Sequence, residues 1–283
     1  MAKDRTVLRI GAYQGPTEPG ALEKNAQAGV KLLAEAHRMN VDFACLPECY
    51  LSGYGSPDVL RKGAVSVRSE WFRRWVRQCR FGGMVSIVGF VERRGAHYHN
   101  SAAIIHRGKL LGVYRKSISG SKHEKKVMTY VSHFPVFRVR GVTFGVIICV
   151  EGSVPEPCLI LAERGARIIF EPHYSFVPMA LMDAQRVRVR NSRIARAVEN
   201  QCWHVRANTV TEPQGKMGGE AGIGYGDSLI LDHLGVPRAE AGLFTTGWIT
   251  ADAPKKNLME KRPGRIAISV PRATRVQMAR LYR

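Results

Sequence analysis

Apolar and polar positions follow two different periods along this chain, and each change of period marks an element. Val7 to Gln14 is a short, mainly apolar run of strand length. From Gly20 the period becomes helical, with Leu22, Ala26, Val30, Leu33 and Ala36 on one face over Glu23, Lys24, Lys31 and Glu35. Val41 to Leu46 is apolar again and reads as a second strand. Strand, helix, strand in that order predicts a parallel pair in an α/β layered fold.

The alternation continues downstream. Ser69 to Arg80 has a capping serine and places Phe72, Trp75, Val76 and Cys79 on one helical face. Met84 to Glu92 and Ser101 to Ile105 read as strands, and the Arg107-Gly108-Lys109 turn leads by a hairpin into Leu110 to Tyr114. Ser117 to Lys126 reads as a loop. Phe134 to Val139 and Thr143 to Cys149 form a second hairpin around Arg140-Gly141. A helix is predicted over Glu156 to Gly165, then a strand over Arg167 to Phe170 that ends in Glu171-Pro172-His173-Tyr174. A long basic helix spans about Met179 to Asn200, followed by strands at Trp203 to Val210, Ser228 to Asp232 and Gly247 to Ala251. From about residue 253 the tail reads as irregular and basic. No Gly/Ser linker, composition break or short repeat divides residues 1–283, which predicts a single domain.

Composition adds three constraints. At 45% hydrophobic and 23% charged residues the chain is globular in type. Its 43 Lys and Arg against 23 Asp and Glu leave a formal charge of +20, which brings nucleic acid, anionic surfaces and acidic substrates into consideration. No apolar run approaches the roughly 20 residues that cross a bilayer, and the first ten residues lack a secretory apolar core, so a cytoplasmic protein with no membrane contact is expected. Six cysteines without an export signal read as reduced thiols. Cys45 and Cys49 have ligand-like spacing, but no second close pair completes a tetrahedral site, so neither a metal nor a cofactor is expected.

Three predicted strand ends carry chemistry: Glu48 after Leu46-Pro47, Lys116 after Tyr114-Arg115, and Cys149 after Gly145-Val146-Ile147-Ile148. Alone, each has a bland reading, respectively as a cap, a solvated lysine and a core thiol. Together they resemble the nitrilase, or carbon-nitrogen hydrolase, superfamily. Leu46-Pro47-Glu48 with Gly53-Tyr54 resembles its glutamate motif, Tyr114-Arg115-Lys116 its lysine motif, and Gly145 to Cys149 with Pro155-Glu156 its cysteine motif. The resemblance runs on through Gly165 to Pro172, Arg196 to Asn200 and Gly226 to Asp232, so it covers about residues 6–252.

The resemblance implies a four-layer αββα sandwich that dimerises across a two-fold axis, with the C-terminal tail reaching the neighbour. It also implies roles. Cys149 would be the nucleophile, Glu48 the general base and acid, and Lys116 with the backbone N–H of Val150 the oxyanion donors. Glu124 would support the lysine, although Met128-Thr129-Tyr130 lacks the proline and glycine that usually follow that glutamate. Tyr54, Glu151, His173 and Tyr174 follow motif-bearing strand ends and are candidates for the pocket wall. Val150 stands where nitrile-hydrolysing members carry Trp, which favours an amide or N-carbamoyl (ureido) substrate over a nitrile. The synthetase and fused forms need a second domain, for which no room is expected.

Rival readings come from the charge. Arg186, Arg188, Arg190, Arg193 and Arg196 crowd one predicted helix. They could form a phosphate-binding face of a non-catalytic binding protein, a solvated or subunit-contact face, or a clamp on a substrate carboxylate. A soluble acyltransferase, in which an amine captures the thioester, is a further alternative.

Overall fold

A computed structural model describes residues 6–211, 215–217 and 220–259. The chain begins with β1 (Val7–Gln14), α1 (Leu22–Arg38), β2 (Phe43–Cys45), α2 (Pro57–Lys62), α3 (Glu70–Gln78), β3 (Val85–Arg94), β4 (His97–His106), β5 (Lys109–Arg115) and α4 (Lys122–Lys125). It continues through β6 (Val136–Val139), β7 (Val142–Val146), α5 (Pro155–Glu163), β8 (Ile168–Pro172), α6 (Met182–Asn200) and β9 (Trp203–Ala207). Then come β10 (Gly215–Met217), β11 (Glu220–Gly222), β12 (Leu229–Leu231), β13 (Pro237–Glu240), β14 (Gly247–Pro254) and α7 (Lys255–Met259). Among these elements no helix is long and apolar enough to cross a membrane.

Two six-stranded sheets carry the fold, ordered β14-β1-β2-β3-β4-β5 and β13-β12-β9-β8-β7-β6. As predicted, β1 and β2 run parallel, with Ile10 beside Phe43. The two-residue period of the strands sends alternate side chains into different cores. Leu8, Ile10, Phe43, Cys45, Val85, Ile87, Ala102 and Ile104 meet the second sheet in one cluster. Tyr13, Ala44, Val88, Ala103 and Ile105 point the other way, onto α1 and α3. Helix α5 adds Cys158 and Leu161 to the shared core, and Ala197 of α6 packs on Leu229 and Leu231. The result is a helix, sheet, sheet, helix sandwich.

Between the sheets, the Phe43 ring lies 5.5 Å from that of Phe144 and 5.9 Å from that of Phe170. This aromatic group locks β2 against β7 and β8, the strands that lead to Glu48, Cys149 and Glu171.

Several expectations need correction. The strand expected to end at Cys149 stops at Val146, and a 3-10 turn takes over at Cys149–Ser153. The expected loop over Ser117 to Lys126 contains α4, capped by the Ser121 side chain on the Glu124 N–H. The chain past 253 is not irregular at its start: β14 pairs antiparallel with all of β1, from Val7 opposite Pro254 to Gln14 opposite Gly247, and α7 follows. Small and polar residues in Thr250-Ala251-Asp252-Ala253 conceal that strand, because its partner supplies most of the apolar surface. The remainder of the tail, residues 260–283, lies outside the described residues.

The inter-sheet aromatic group should dominate stability. Phe43→Ala is expected to cost about 3–5 kcal/mol in denaturant unfolding, the range for an emptied aromatic core site. Leu111→Ala, at a side chain 44% exposed, should stay within about 0.5 kcal/mol.

Candidate active site

Glu48 sits just beyond β2, where the chain crosses the face of β3. A Cβ on Gly89 would lie 2.3 Å from the Pro47 carbonyl oxygen, so only glycine lets the two backbones pass this closely. Lys116 follows β5 directly, its N–H bonded to the Asn100 carbonyl at 2.8 Å. Glu124 projects from α4. The three side chains are buried and bonded to one another. The Lys116 Nζ donates to Glu48 Oε1 at 2.8 Å and to Glu124 Oε1 and Oε2 at 2.9 and 3.0 Å. Asn100 donates its amide to both carboxylates, and Gly120 N–H donates to Glu124 Oε2 at 2.7 Å.

This leaves Glu48 Oε2 buried with no hydrogen-bond partner among the described residues. Burial raises the Glu48 pKa above its ordinary 4.5, and the Lys116 charge only partly offsets it. Burial disfavours the Lys116 ammonium, yet Glu124 and Glu48 hold it charged, with a pKa well above 10.5.

Cys149 lies at the start of the 3-10 turn with φ of 54°, a left-handed conformation that a non-glycine residue adopts at a cost. Two buried carboxylates hold it there. Glu151 accepts from Tyr114 Oη at 2.7 and 2.8 Å, from Ser117 N–H at 2.6 Å and from Ile148 N–H at 2.6 Å. It therefore staples the turn to the strand end that carries Lys116. On the other side, Arg193 Nη2 donates to the Cys149 carbonyl at 2.6 Å while its guanidinium pairs with Glu171. Glu171 also meets His173 Nδ1 at 2.6 Å and His204 Nε2 at 2.6 Å. A Cβ on Gly152 would come within 2.8 Å of the Arg193 guanidinium carbon, so glycine is needed for Arg193 to reach under the turn.

The Cys149 Sγ lies 3.8 Å from His173 Nε2 and 3.8 Å from the Tyr174 carbonyl oxygen. Burial, seconded by the Glu48 charge, raises the thiol's pKa, against the pull of Lys116. The group at rest is thus a thiol rather than a thiolate. Burial and the Arg206 charge push His173 down to about 3, so its imidazole is neutral. Glu171 stays ionised despite burial because Arg193 and the two histidines stabilise its charge.

A cavity of about 250 Å³ opens above Cys149, with Lys116 and Val150 beside it. Tyr54 and Tyr174 form one wall, their rings stacked at 4.6 Å, and Tyr54 Oη bonds Ser121 Oγ at 2.9 Å. Gln185 and Arg188 of α6 also line the cavity. Val150, in the first turn of the 3-10 segment, has no intrahelical acceptor for its N–H. A thiol, an ammonium held by two carboxylates and a backbone donor thus meet at one cavity, the set that acyl transfer requires.

Of the residues expected in this site, Lys116, Cys149, Val150, Tyr54, His173 and Tyr174 line the cavity, and Glu48 and Glu124 stand behind Lys116. Glu151 is a correction: its carboxylate turns away from the cavity into the Tyr114 and Ser117 bonds. Sequence reasoning gave no role to Asn100, Glu171 or Gln185. A polar Asn100 two positions before the inward-facing Ala102 was the available signal for the first. Nothing short of the fold pairs Arg193 with Glu171. Among the described residues no group of three or more His, Cys, Asp and Glu is placed to hold a metal ion.

The chain is 26% identical over 204 residues to an (R)-stereoselective amidase of a Pseudomonas species, covering 72% of this chain and 70% of that one. It is 26% identical over 257 residues to a glutamine-dependent NAD(+) synthetase of Xanthomonas campestris pv. campestris, covering 87% of this chain and 44% of that protein. It thus spans less than half the length of that relative. Among solved structures, a cysteine-to-alanine mutant of the Nesterenkonia AN1 amidase from the nitrilase superfamily superposes with a TM-score of 0.77 over 100% of both chains at 19% identity, a likeness of fold. The family model described as carbon-nitrogen hydrolase matches residues 9–262, a span that takes in nearly all of both sheets and every residue lining the cavity, and the chain belongs to that family.

Proposed function

We propose that this chain hydrolyses the carbon-nitrogen bond of a small amide or N-carbamoyl compound through a thioester on Cys149. The observation that carries this reading is the Lys116 ammonium shared between Glu48 and Glu124 at the cavity that Cys149 lines.

Each role follows from the state of its group. The Cys149 thiol is protonated at rest, so attack needs a base, and Glu48 offers a buried, unpartnered carboxylate oxygen with a raised pKa. Glu48 takes the thiol proton as sulfur bonds to the amide carbon. Lys116 and the Val150 N–H receive the negative oxygen of the tetrahedral intermediate. The carbon-nitrogen bond then breaks, and the nitrogen leaves with the proton from Glu48. In the second half Glu48 takes a proton from water, hydroxide adds to the thioester, and the sulfur leaves with that proton as the acid forms. The cycle returns Cys149, Glu48 and Lys116 to their starting states and needs no cofactor. Glu124, bonded to Lys116 at both oxygens, keeps the ammonium in place when Glu48 is protonated.

Val150 beside the cysteine supports an amide or ureido substrate over a nitrile. All six cysteines are free thiols, which fits a reducing cytoplasmic setting. Leu159 of α5 with Val187 and Ile194 of α6 are exposed at 48%, 57% and 36%, and these uncovered apolar side chains support a homodimer.

Cys149→Ala should abolish turnover of simple amides. In the wild-type protein, mass spectrometry after rapid quench should find an acyl adduct on Cys149 alone; turnover without one would exclude the thioester route. Lys116→Met should lower kcat by roughly a hundredfold or more, as for loss of an oxyanion donor. The pH profile of kcat/KM should have an acid limb, because Glu48 works in its charged form and activity is lost as it protonates. Since burial raises the Glu48 pKa, that limb should lie above 4.5; a limb at or below 4.5 contradicts the assignment of the base.

A further inference from the structure

We propose that Arg188 and Gln185 form an anion-recognition site at the cavity, so that the substrate is a small amide carrying a carboxylate at the end remote from the scissile bond. This rests on the amidohydrolase reading and adds the chemical class of its substrate.

The argument begins with the five arginines of α6. Arg186 and Arg190 both reach Asp227, at 3.1 and 2.6 Å, and Arg190 also reaches Glu240 at 2.8 Å. Arg193 pairs with Glu171, and Arg196 with Glu199. Arg188 differs from all four. It lines the cavity, its Nη2 donates to Gln185 Oε1 at 2.6 Å, and no described carboxylate lies within ion-pair distance of it.

Helical geometry explains the division. Residues 185 and 188 are one turn apart and share a face, which α6 turns toward the cavity, whereas 186, 190 and 193 follow the face buried against the second sheet. The Gln185 oxygen accepts from Arg188, which holds the guanidinium in place. The Gln185 amide N–H groups and the remaining guanidinium donors stay available to a ligand. A guanidinium fork of this kind matches a carboxylate in bidentate geometry.

The charge around Lys116 fixes the orientation. Lys116 is one ammonium bonded to two carboxylates, so the base of the cavity carries no surplus positive charge, and a substrate anion there would be repelled. No described residue lining the cavity is acidic, and His173 is neutral. The amide therefore lies at Cys149 and the carboxylate at Arg188.

The test compares monoamides of succinic, glutaric and adipic acids with neutral butyramide and hexanamide, in wild type, Arg188→Gln and Arg188→Glu. Wild type should prefer the best-fitting anionic amide by about tenfold or more in kcat/KM, the size of a charge-assisted hydrogen-bond pair. Arg188→Gln should remove most of that ratio, Arg188→Glu should invert it, and high salt should weaken it in wild type. An anionic-to-neutral ratio that is the same in all three proteins overturns the proposal. If no amide is turned over and no adduct forms on Cys149, the amidohydrolase reading fails instead. Calorimetric binding of the glutaric acid monoamide, which keeps a neutral amide at the Cys149 end, to Cys149→Ala then decides the anion site: binding lost with Arg188→Gln supports it, and absence of binding refutes it. Because Arg188 is at the surface, unchanged thermal unfolding of its variants will separate recognition from misfolding.

Discussion

The constraint on which the rest of this structure depends is the placement of two carboxylates on one ammonium in a buried space. Glu48 and Glu124 both bond the Lys116 ammonium, and without those two carboxylates burial would disfavour its charge. Two carboxylates face one ammonium, and that imbalance is what makes the group chemically useful. Burial and, less strongly, the Glu124 charge raise the basicity of Glu48, while the Lys116 charge offsets part of that rise. Such a balance demands rigid positioning, since small shifts at low dielectric change the energies greatly. The fold supplies it by taking each group from a different segment: the exit of β2, the exit of β5 and the short α4. Asn100 in β4 ties the two carboxylates together.

Cys149 is positioned by a different device. Its left-handed backbone is unfavourable alone, and the surroundings over-determine it. Glu151 gathers donors from Ser117 and Ile148, so the turn that presents the sulfur and the strand end that presents Lys116 move as one unit. Arg193 holds the Cys149 carbonyl from beneath. Its charge is matched by Glu171, whose second oxygen is steadied by His204. The orientation of His173 beside the sulfur is set by the same carboxylate. One buried anion thereby fixes both the backbone of the cysteine and the imidazole next to it.

What the sequence made legible follows from the range of the interactions involved. Val7–Gln14, α1 and the serine cap of α3 could be read because apolar period and capping are properties of neighbouring residues. Glu48, Lys116 and Cys149 could be nominated because each follows an apolar run, and the fold brings Lys116 and Cys149 to one cavity with Glu48 bonded behind the lysine. The errors occur where a side chain's fate is decided by partners far away in the chain. Glu151 looked like a wall residue because it lies two places from Cys149, yet the 3-10 turn sends its carboxylate back to Tyr114. β14 was cut short because its register is set by β1, more than 200 residues earlier. Asn100 has no role legible in the sequence, since an asparagine at a strand shows its value only when two carboxylates from other segments converge on it.

The basic surplus of the chain illustrates the same point about distance. A run of arginines in one helix suggests a phosphate-binding face, because sequence alone treats each charge as exposed. In the folded chain, Arg193 and Arg206 are fully buried, and Asp227 alone gathers Arg186, Arg190 and Arg206. These cations are structural: they neutralise acids that would otherwise be stranded between α6 and the second sheet. With Arg186, Arg190, Arg193 and Arg196 each paired to an acid, the helix presents less continuous positive surface than its sequence suggests. The charge excess is thus no guide to function until each cation has been assigned its anion. Once that is done, α6 acts as a strut that anchors the cysteine turn from one face, and its other face meets the cavity.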